Sequence, residues 1–174
     1  MRGRNGGTWG HWQIALAYAK YLDPHLHIQV NEWARAYKEE ESNPEKGVDR
    51  AIDNWKRQGR SDEWIQTRLE NKQVRHQFTS TLKEHGVSKP YEYAHCTNAI
   101  NKQVLGGTAK QLKESMGLAK RANLRDGLSR VKIAALGLAE ALAEEDINEN
   151  QRYGFKQCRQ SCDDAGSKVK RALS

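Results

Sequence analysis

Clustered basic side chains are the residues of this 174-residue chain whose types and spacing suggest a chemistry. Arg68, Lys72 and Arg75 follow one another at intervals of four and three residues, so they share one face of a helix. Such a row is able to follow a nucleic-acid phosphate backbone. A solvated helix face with Asp62 and Glu70 as charge partners explains the same pattern equally well.

A second basic cluster is less offset by acidic residues. The formal net charge of the chain is +7, and residues 91 to 130 have seven Lys and Arg against three Asp and Glu. Clustered cations favour a polyanionic partner, because binding phosphates releases counterions. We therefore predict a phosphate-contacting surface formed by Lys110, Lys113, Lys120, Arg121 and Arg125.

The amino-terminal arm has two further candidates. Arg2 and Arg4 stand among glycines just before the first predicted helix. An arginine on such an arm is able to reach a minor groove or a phosphate. The alternative is a tight turn that directs Trp9 into the core while both arginines stay solvated.

The cysteines could suggest a metal site, since Cys158 and Cys162 lie one helical turn apart. No second Cys or His pair is close in sequence, and a zinc site usually shows two such pairs. Three cysteines without an export signal predict reduced thiols, here small core residues. No Walker loop, nucleophile elbow or dinucleotide fingerprint is present, so we predict no catalytic residue, metal or cofactor, and a protein that is not an enzyme.

Helices are predicted to position these residues. Asp23-Pro24 and Asn43-Pro44 each combine an N-cap with proline at the first helical position, and Thr108 with Gln111 forms a capping box. No alternating strand pattern is found. The sequence predicts an all-α, multi-helix bundle with a helical N-terminal extension. Its expected limits are an extension at residues 1–41, a charged helical connector at 42–60 and a helical domain at 61–174.

The most apolar predicted helix, residues 124–143 with Asn123 as its N-cap, is expected to form the centre of the core. Its inner stripe is predicted to be Leu128, Val131, Ala135, Leu138 and Leu142. A final helix over residues 150–173 is expected to bury Tyr153, Cys158, Cys162, Ala165, Val169 and Ala172. The polar residues 70–77 predict a solvent-facing or partner-facing stretch, or a break.

The chain has no apolar run long enough for a membrane span and no signal-peptide pattern. These features predict a cytoplasmic protein without a membrane partner.

The first part of the chain resembles the closing half of a KilA-N domain. The resembling segments are residues 3–9, His11, residues 15–17, Asp23-Pro24 and residues 30–33. KilA-N domains are nucleic-acid-binding modules of phage and viral regulators, so the resemblance implies a DNA-linked role. Because the earlier part of such a domain does not precede Met1, we expect a truncated KilA-N segment over about residues 2–41.

The rest of the chain is similar to DNA-damage-inducible protein D and related phage antirepressor-like proteins. This resemblance implies a role in prophage control or the DNA-damage response, without a known catalytic centre. It rests on Arg68–Lys72, Arg75–Thr79, Leu82, Tyr93–Asn98, Leu105-Gly106, Gly117-Leu118, Asn123–Asp126 leading into the apolar helix, and Cys162–Gly166.

Three functional hypotheses follow from the sequence. A DNA-associated regulator should gather its basic residues on one face. A protein-binding antirepressor, acting on a repressor or another DNA-bound protein, should show an exposed apolar groove and dispersed charge. An enzyme acting on nucleic acid would need a carboxylate or histidine cluster, and no spacing suggests one. Self-association is left open.

Overall fold

A computed structural model describes residues 10–173, and this part of the chain is entirely helical apart from turns. The prediction of an all-α multi-helix bundle is therefore confirmed. The elements in chain order are α1 (Trp12–Leu22), α2 (Pro24–Ser42), α3 (Pro44–Arg57), α4 (Asp62–Glu84), α5 (Pro90–Leu105), α6 (Ala109–Ser115), a 3-10 turn (Leu124–Gly127), α7 (Arg130–Glu149) and α8 (Phe155–Ala172). None of the described helices is long and apolar enough to cross a membrane.

The chain divides into two compact units, the first ending at Gln58 and the second beginning at Gly59. The first unit contains α1 to α3, so the helix predicted as a connector belongs to it. The second unit contains all the remaining helices. The predicted limits of the three segments remain predictions: 1–41, 42–60 and 61–174.

The helix starts that were predicted from capping residues are confirmed. Asp23 Oδ1 accepts hydrogen bonds from the backbone N–H groups of His25 at 2.9 Å and Leu26 at 3.3 Å. Asn43 Oδ1 accepts one from Glu45 N at 3.2 Å. The capping box of Thr108 and Gln111 is present as well. These side chains satisfy backbone donors that a helix N-terminus leaves without a partner.

In the first unit, α2 packs against both α1 and α3. Charge pairs support the second of these contacts: Arg50 Nη2 lies 2.8 Å from Glu40 Oε2, and Lys46 Nζ lies 2.8 Å from Glu39 Oε2. No residue of these three helices is buried. The described part of the first unit therefore has no apolar core of its own.

In the second unit, α4, α5, α7 and α8 form a four-helix core in which α5 packs on α8, and α7 packs on both α4 and α8. At the edge of this core, Trp64 Nε1 donates a hydrogen bond of 3.0 Å to the carbonyl oxygen of Leu128. The largest fully buried apolar side chains are Phe78, Leu82, Val87, Ile100, Ile133, Leu136 and Ile147.

The predicted helix 124–143 is wrong at its start and in part of its inner stripe, of which Leu128 and Ala135 are buried as predicted. Asn123 caps only the 3-10 turn, and α7 begins at Arg130 with Ser129 as its N-cap. Val131 and Leu138 are exposed rather than buried. The apolar residues of α7 extend around more than half of the helix, so spacing alone did not decide which stripe faces inward. The buried stripe is Ile133, Leu136, Gly137, Glu140, Ala143 and Ile147.

Two other expectations are corrected. The polar stretch 70–77 neither breaks α4 nor faces solvent throughout, because Asn71 is buried and Arg75 forms an internal ion pair. The last helix begins at Phe155, after Gly154 at φ 82°, so Tyr153 precedes it and is exposed, as is Ala172. Cys158, Cys162, Ala165 and Val169 are buried as predicted.

Candidate nucleic-acid interface

Arg68, a predicted phosphate contact, is engaged inside the second unit. Its Nε lies 3.3 Å from Asp126 Oδ1, and its side chain is only 11% exposed. Arg60 Nη2 donates to the backbone carbonyl of the same Asp126, and its guanidinium lies over the ring of Trp64. Both arginines therefore attach the 3-10 turn to the start of α4.

Arg75 and Arg125 are bound to one buried carboxylate. Arg75 Nη1 lies 2.7 Å and Arg125 Nη2 lies 2.5 Å from Glu140 Oε1, and the Glu140 side chain is 1% exposed. Arg75 Nη2 also donates to Thr97 Oγ1 at 2.7 Å. Burial lowers the pKa of Arg125, while the nearby Glu140 carboxylate opposes this effect. The group joins α4, α5, α7 and the 3-10 turn.

These contacts separate the predicted site residues into two sets. Arg68, Arg75 and Arg125 each serve an internal ion pair, and we leave them out of the proposed interface. Lys72 is exposed on α4. Arg2 and Arg4 lie outside the described residues. The remaining cations are Lys110, Lys113, Lys120 and Arg121, which we call the α6 basic segment.

The α6 basic segment occupies α6 and the loop that follows it. Lys110 is highly exposed and lies 4.0 Å from the equally solvated Glu114 carboxylate. Lys113 Nζ donates to the backbone carbonyl of Lys120 at 3.3 Å, which places these two residues side by side. Lys120 and Arg121 are exposed. The structure therefore brings together Lys113 and Lys120, which are seven positions apart in the sequence.

Packing against two neighbours fixes the position of this segment. Ala109 N, at the start of α6, donates to Asn98 Oδ1 of α5 at 2.9 Å. After α6, Met116 and Leu118 lie so close to Gly127 that a Cβ there would be 2.9 Å from each side chain. The loop that holds Lys120 and Arg121 is therefore attached to the same 3-10 turn that Arg68 and Arg125 hold from inside.

Sequence reasoning missed the acidic partners, Asp126 and Glu140. Glu140 gave one signal, since it lies three residues from both Gly137 and Ala143 on the buried stripe of α7. A buried glutamate is rarely found without a cationic partner. The sequence alone does not say which of the many basic residues supplies it.

The thiols Cys96, Cys158 and Cys162 are free and buried, which confirms the prediction for them. Cys158 Sγ donates to the carbonyl oxygens of His85 at 3.8 Å and Arg152 at 3.9 Å. Burial raises the pKa of Cys158 to about 11. Within residues 10–173, no three His, Cys, Asp or Glu side chains are arranged to hold a metal ion.

We find no protein-family model that matches this chain, and no significant match among curated proteins.

Proposed function

We propose that this chain is a non-enzymatic, DNA-associated regulatory protein that contacts nucleic-acid phosphates through the α6 basic segment. The observation that carries the proposal is that Lys110, Lys120 and Arg121 are exposed, that the half-buried Lys113 contacts Lys120, and that Glu114 is the one carboxylate of this segment. Exposed lysines and arginines gain binding free energy from phosphates by releasing condensed counterions.

The internal ion pairs decide which basic residues we leave out of the proposed interface. If Arg75 and Arg125 bound phosphates, Glu140 would lose its partners inside the bundle, and an unpaired buried charge is costly. Arg68 is itself only 11% exposed and is paired with Asp126. The α6 basic segment forms no such internal ion pair. Its one charge pair is exposed and contributes little to the stability of the fold. Nucleic acid is therefore able to bind these four side chains without disturbing the core.

The resemblance to KilA-N domains and to DNA-damage-inducible protein D supports the same assignment. It suggests a cytoplasmic protein of prophage control or the DNA-damage response. In this proposal Lys72 adds a separate weak contact on α4, and Arg2 and Arg4 remain predicted contacts of the amino-terminal arm.

Fluorescence anisotropy with labelled duplex and single-stranded DNA, measured across a salt series, tests the proposal. The informative variant is Lys120→Ala with Arg121→Ala, since both side chains are exposed and outside the internal ion pairs. We expect weaker binding at low salt. We also expect the slope of log affinity against log salt on duplex DNA to fall by about two, roughly one for each lost phosphate contact.

The matched control is Lys83→Ala with Lys156→Ala, which changes the net charge by the same amount. These exposed lysines lie where α4 ends and α8 begins, two regions joined by the hydrogen bond from Gly154 N to His85 O. Equal loss of affinity in both double variants would mean that DNA binding depends on the overall charge of the protein and not on the α6 basic segment. Absence of binding at low salt would reject direct DNA contact.

An antirepressor that binds another protein is the second candidate, and a groove between α4 and α7 favours it. The groove has a volume of about 540 Å³ and is lined by Val74, Ala134, Leu138 and Ala141 among polar neighbours. Leu138 is 52% exposed. Exposed apolar side chains next to a groove are typical of helix-binding surfaces. This function becomes the leading proposal if the anisotropy experiment shows no binding of DNA.

A further inference from the structure

Helix α1 has an exposed apolar stripe. Ile14, Tyr18 and Tyr21 follow at intervals of four and three residues, so they share a face, and they are 69%, 67% and 91% exposed. The opposite side of α1, with Leu16 and Ala19, is the half-buried one. Because α1 already packs on α2, its aromatic stripe is a second, unpartnered face.

Helix α2 has an exposed apolar stripe of its own. Leu26 and Val30 are half-buried, whereas Trp33 and Tyr37, on the same stripe, are 58% and 62% exposed. α2 therefore keeps two large aromatic side chains in solvent.

These helices need a further packing surface. Short helices are marginal in water, and in proteins they are stabilised mainly by burying an apolar face. The first unit buries none of the described residues of α1, α2 or α3. Their capping interactions set where the helices begin but supply little of the required free energy.

The exposed area suits a dimer interface. At about 200 Å² for a fully exposed aromatic side chain, Tyr18, Tyr21, Trp33 and Tyr37 present roughly 550 Å². A standard interface buries about 800 Å² per partner, of which about two-thirds is apolar in homodimers. The stripes thus supply the roughly 500 Å² of apolar area that one partner must contribute.

The charge of the first unit also suits a second copy. Residues 10–58 have seven Lys and Arg against eight Asp and Glu, so two such units do not repel each other. The same balance gives no attraction to a polyanion, in contrast to the surplus at residues 91–130. Tyr and Trp at the centre of a nearly neutral surface are typical of protein interfaces.

From these observations we propose that the chain self-associates through its first unit. The α1–α2 pairs of two copies pack with their stripes of Ile14, Tyr18, Tyr21, Trp33 and Tyr37 against each other and form a four-helix interface. This is an isologous contact, in which each copy contributes the same residues, and it closes at two copies.

Analytical ultracentrifugation of the full chain over concentrations from about 1 to 200 µM, the range in which such an interface is measurable, tests this proposal. The wild type is compared with Tyr18→Ser/Tyr21→Ser and with Trp33→Ser, which probe α1 and α2 separately. All three side chains are exposed in the single chain, so the core of the second unit is unaffected. Leu138→Ser, on the exposed face of α7, is the control.

We expect a wild-type dimer whose dissociation constant rises at least tenfold in both stripe variants and is unchanged by Leu138→Ser. A wild-type monomer throughout the range would overturn the proposal. A dimer that only Leu138→Ser weakens would overturn it as well, because the contact would then lie on α7. A mass above two copies would contradict the closed, isologous arrangement.

Discussion

Glu140 is the acidic centre of the second unit, between Arg75 and Arg125 in the core. Its Oε1 accepts from both guanidinium groups, whereas the buried Oε2 has no hydrogen-bond partner in the described residues. Removing one member of a buried charge group leaves uncompensated charge, which typically costs several kcal/mol. Loss of any one of these three residues should therefore destabilise the packing of the helices that they join.

We predict that Glu140→Gln lowers the free energy of unfolding by about 3 kcal/mol, because the largely buried guanidinium group of Arg125 and the partly buried one of Arg75 lose their counterion. Urea denaturation followed by circular dichroism measures this change. Glu145→Gln, at an exposed position of the same helix, is the control and should change stability by less than about 0.5 kcal/mol. Similar values for the two variants would show that the ion pairs contribute little.

The raised pKa of Cys158 predicts that the stability of the protein depends on pH. Its neutral thiol donates to two backbone carbonyls, and burial raises its pKa from 9.0 to about 11. The unfolded chain therefore releases this proton at a lower pH than the folded chain. The stabilising effect is complete below pH 9 and is lost as the pH rises toward 11.

We expect the loss of unfolding free energy between pH 8.5 and 10.5 to be smaller in Cys158→Ala than in the wild type, because the variant lacks this titration. Urea denaturation at several pH values measures both slopes. The variant is also less stable at every pH, since it leaves a small cavity, so only the slopes are compared. Identical slopes would contradict the prediction.

At the scale of single residues, the sequence predicted which side chains are charged but not which are paired. Arg68 and Lys72 are one helical turn apart, yet only Arg68 meets a carboxylate, 58 residues later. Arg75 meets Glu140 at a separation of 65 residues. Such partners are set by the packing of α4 on α7, which local spacing does not contain.

At the scale of elements, local chemistry predicted where most helices begin. Asp23, Asn43 and Thr108 all act as N-caps, as their side chains suggest. The start of α7 was missed because Asn123 and Ser129 are both suitable caps, and the first serves only a 3-10 turn. The contact of Met116 and Leu118 with Gly127 holds that turn, and it comes from tertiary packing.

Gly137 allows α7 to approach α4 closely. A Cβ at this position would lie 2.0 Å from Asn71 Oδ1, and Asn71 is itself buried and bonded to Thr67 O. We predict that Gly137→Ala destabilises the protein by about 2 kcal/mol, because the side chain of Asn71 would have to leave its buried position and its hydrogen bond to Thr67 O. Helix propensity alone predicts the opposite, a gain of about 1 kcal/mol.

Combining Gly137→Ala with Asn71→Ala checks that cause. The second substitution removes the colliding oxygen, so the double variant should be more stable than Gly137→Ala alone. Denaturation of both single variants and the double variant gives the interaction energy directly. Additive losses would mean that the close approach of the helices is not the source of the effect.

At the scale of the whole molecule, burial is divided unequally between the two units. Every buried residue of the described chain lies after Gly59, including the ion pairs and the thiols. The first unit has capped helices, charge pairs and exposed aromatic stripes. This division predicts that the second unit folds by itself. In our proposals the second unit also holds the α6 basic segment, while the first unit serves association.

We therefore predict that residues 59–174 fold alone, with a single cooperative urea transition, because this segment contains the complete four-helix core. Circular dichroism and thermal denaturation of the isolated segment test its folding.

Once the isolated segment is shown to be folded, sedimentation should find a monomer at concentrations at which the full chain is dimeric. Its DNA affinity should drop in Lys120→Ala/Arg121→Ala, as in the full chain. A folded segment that still dimerises would place the association surface in the second unit, whereas a segment that fails to fold would show that the first unit contributes to the core.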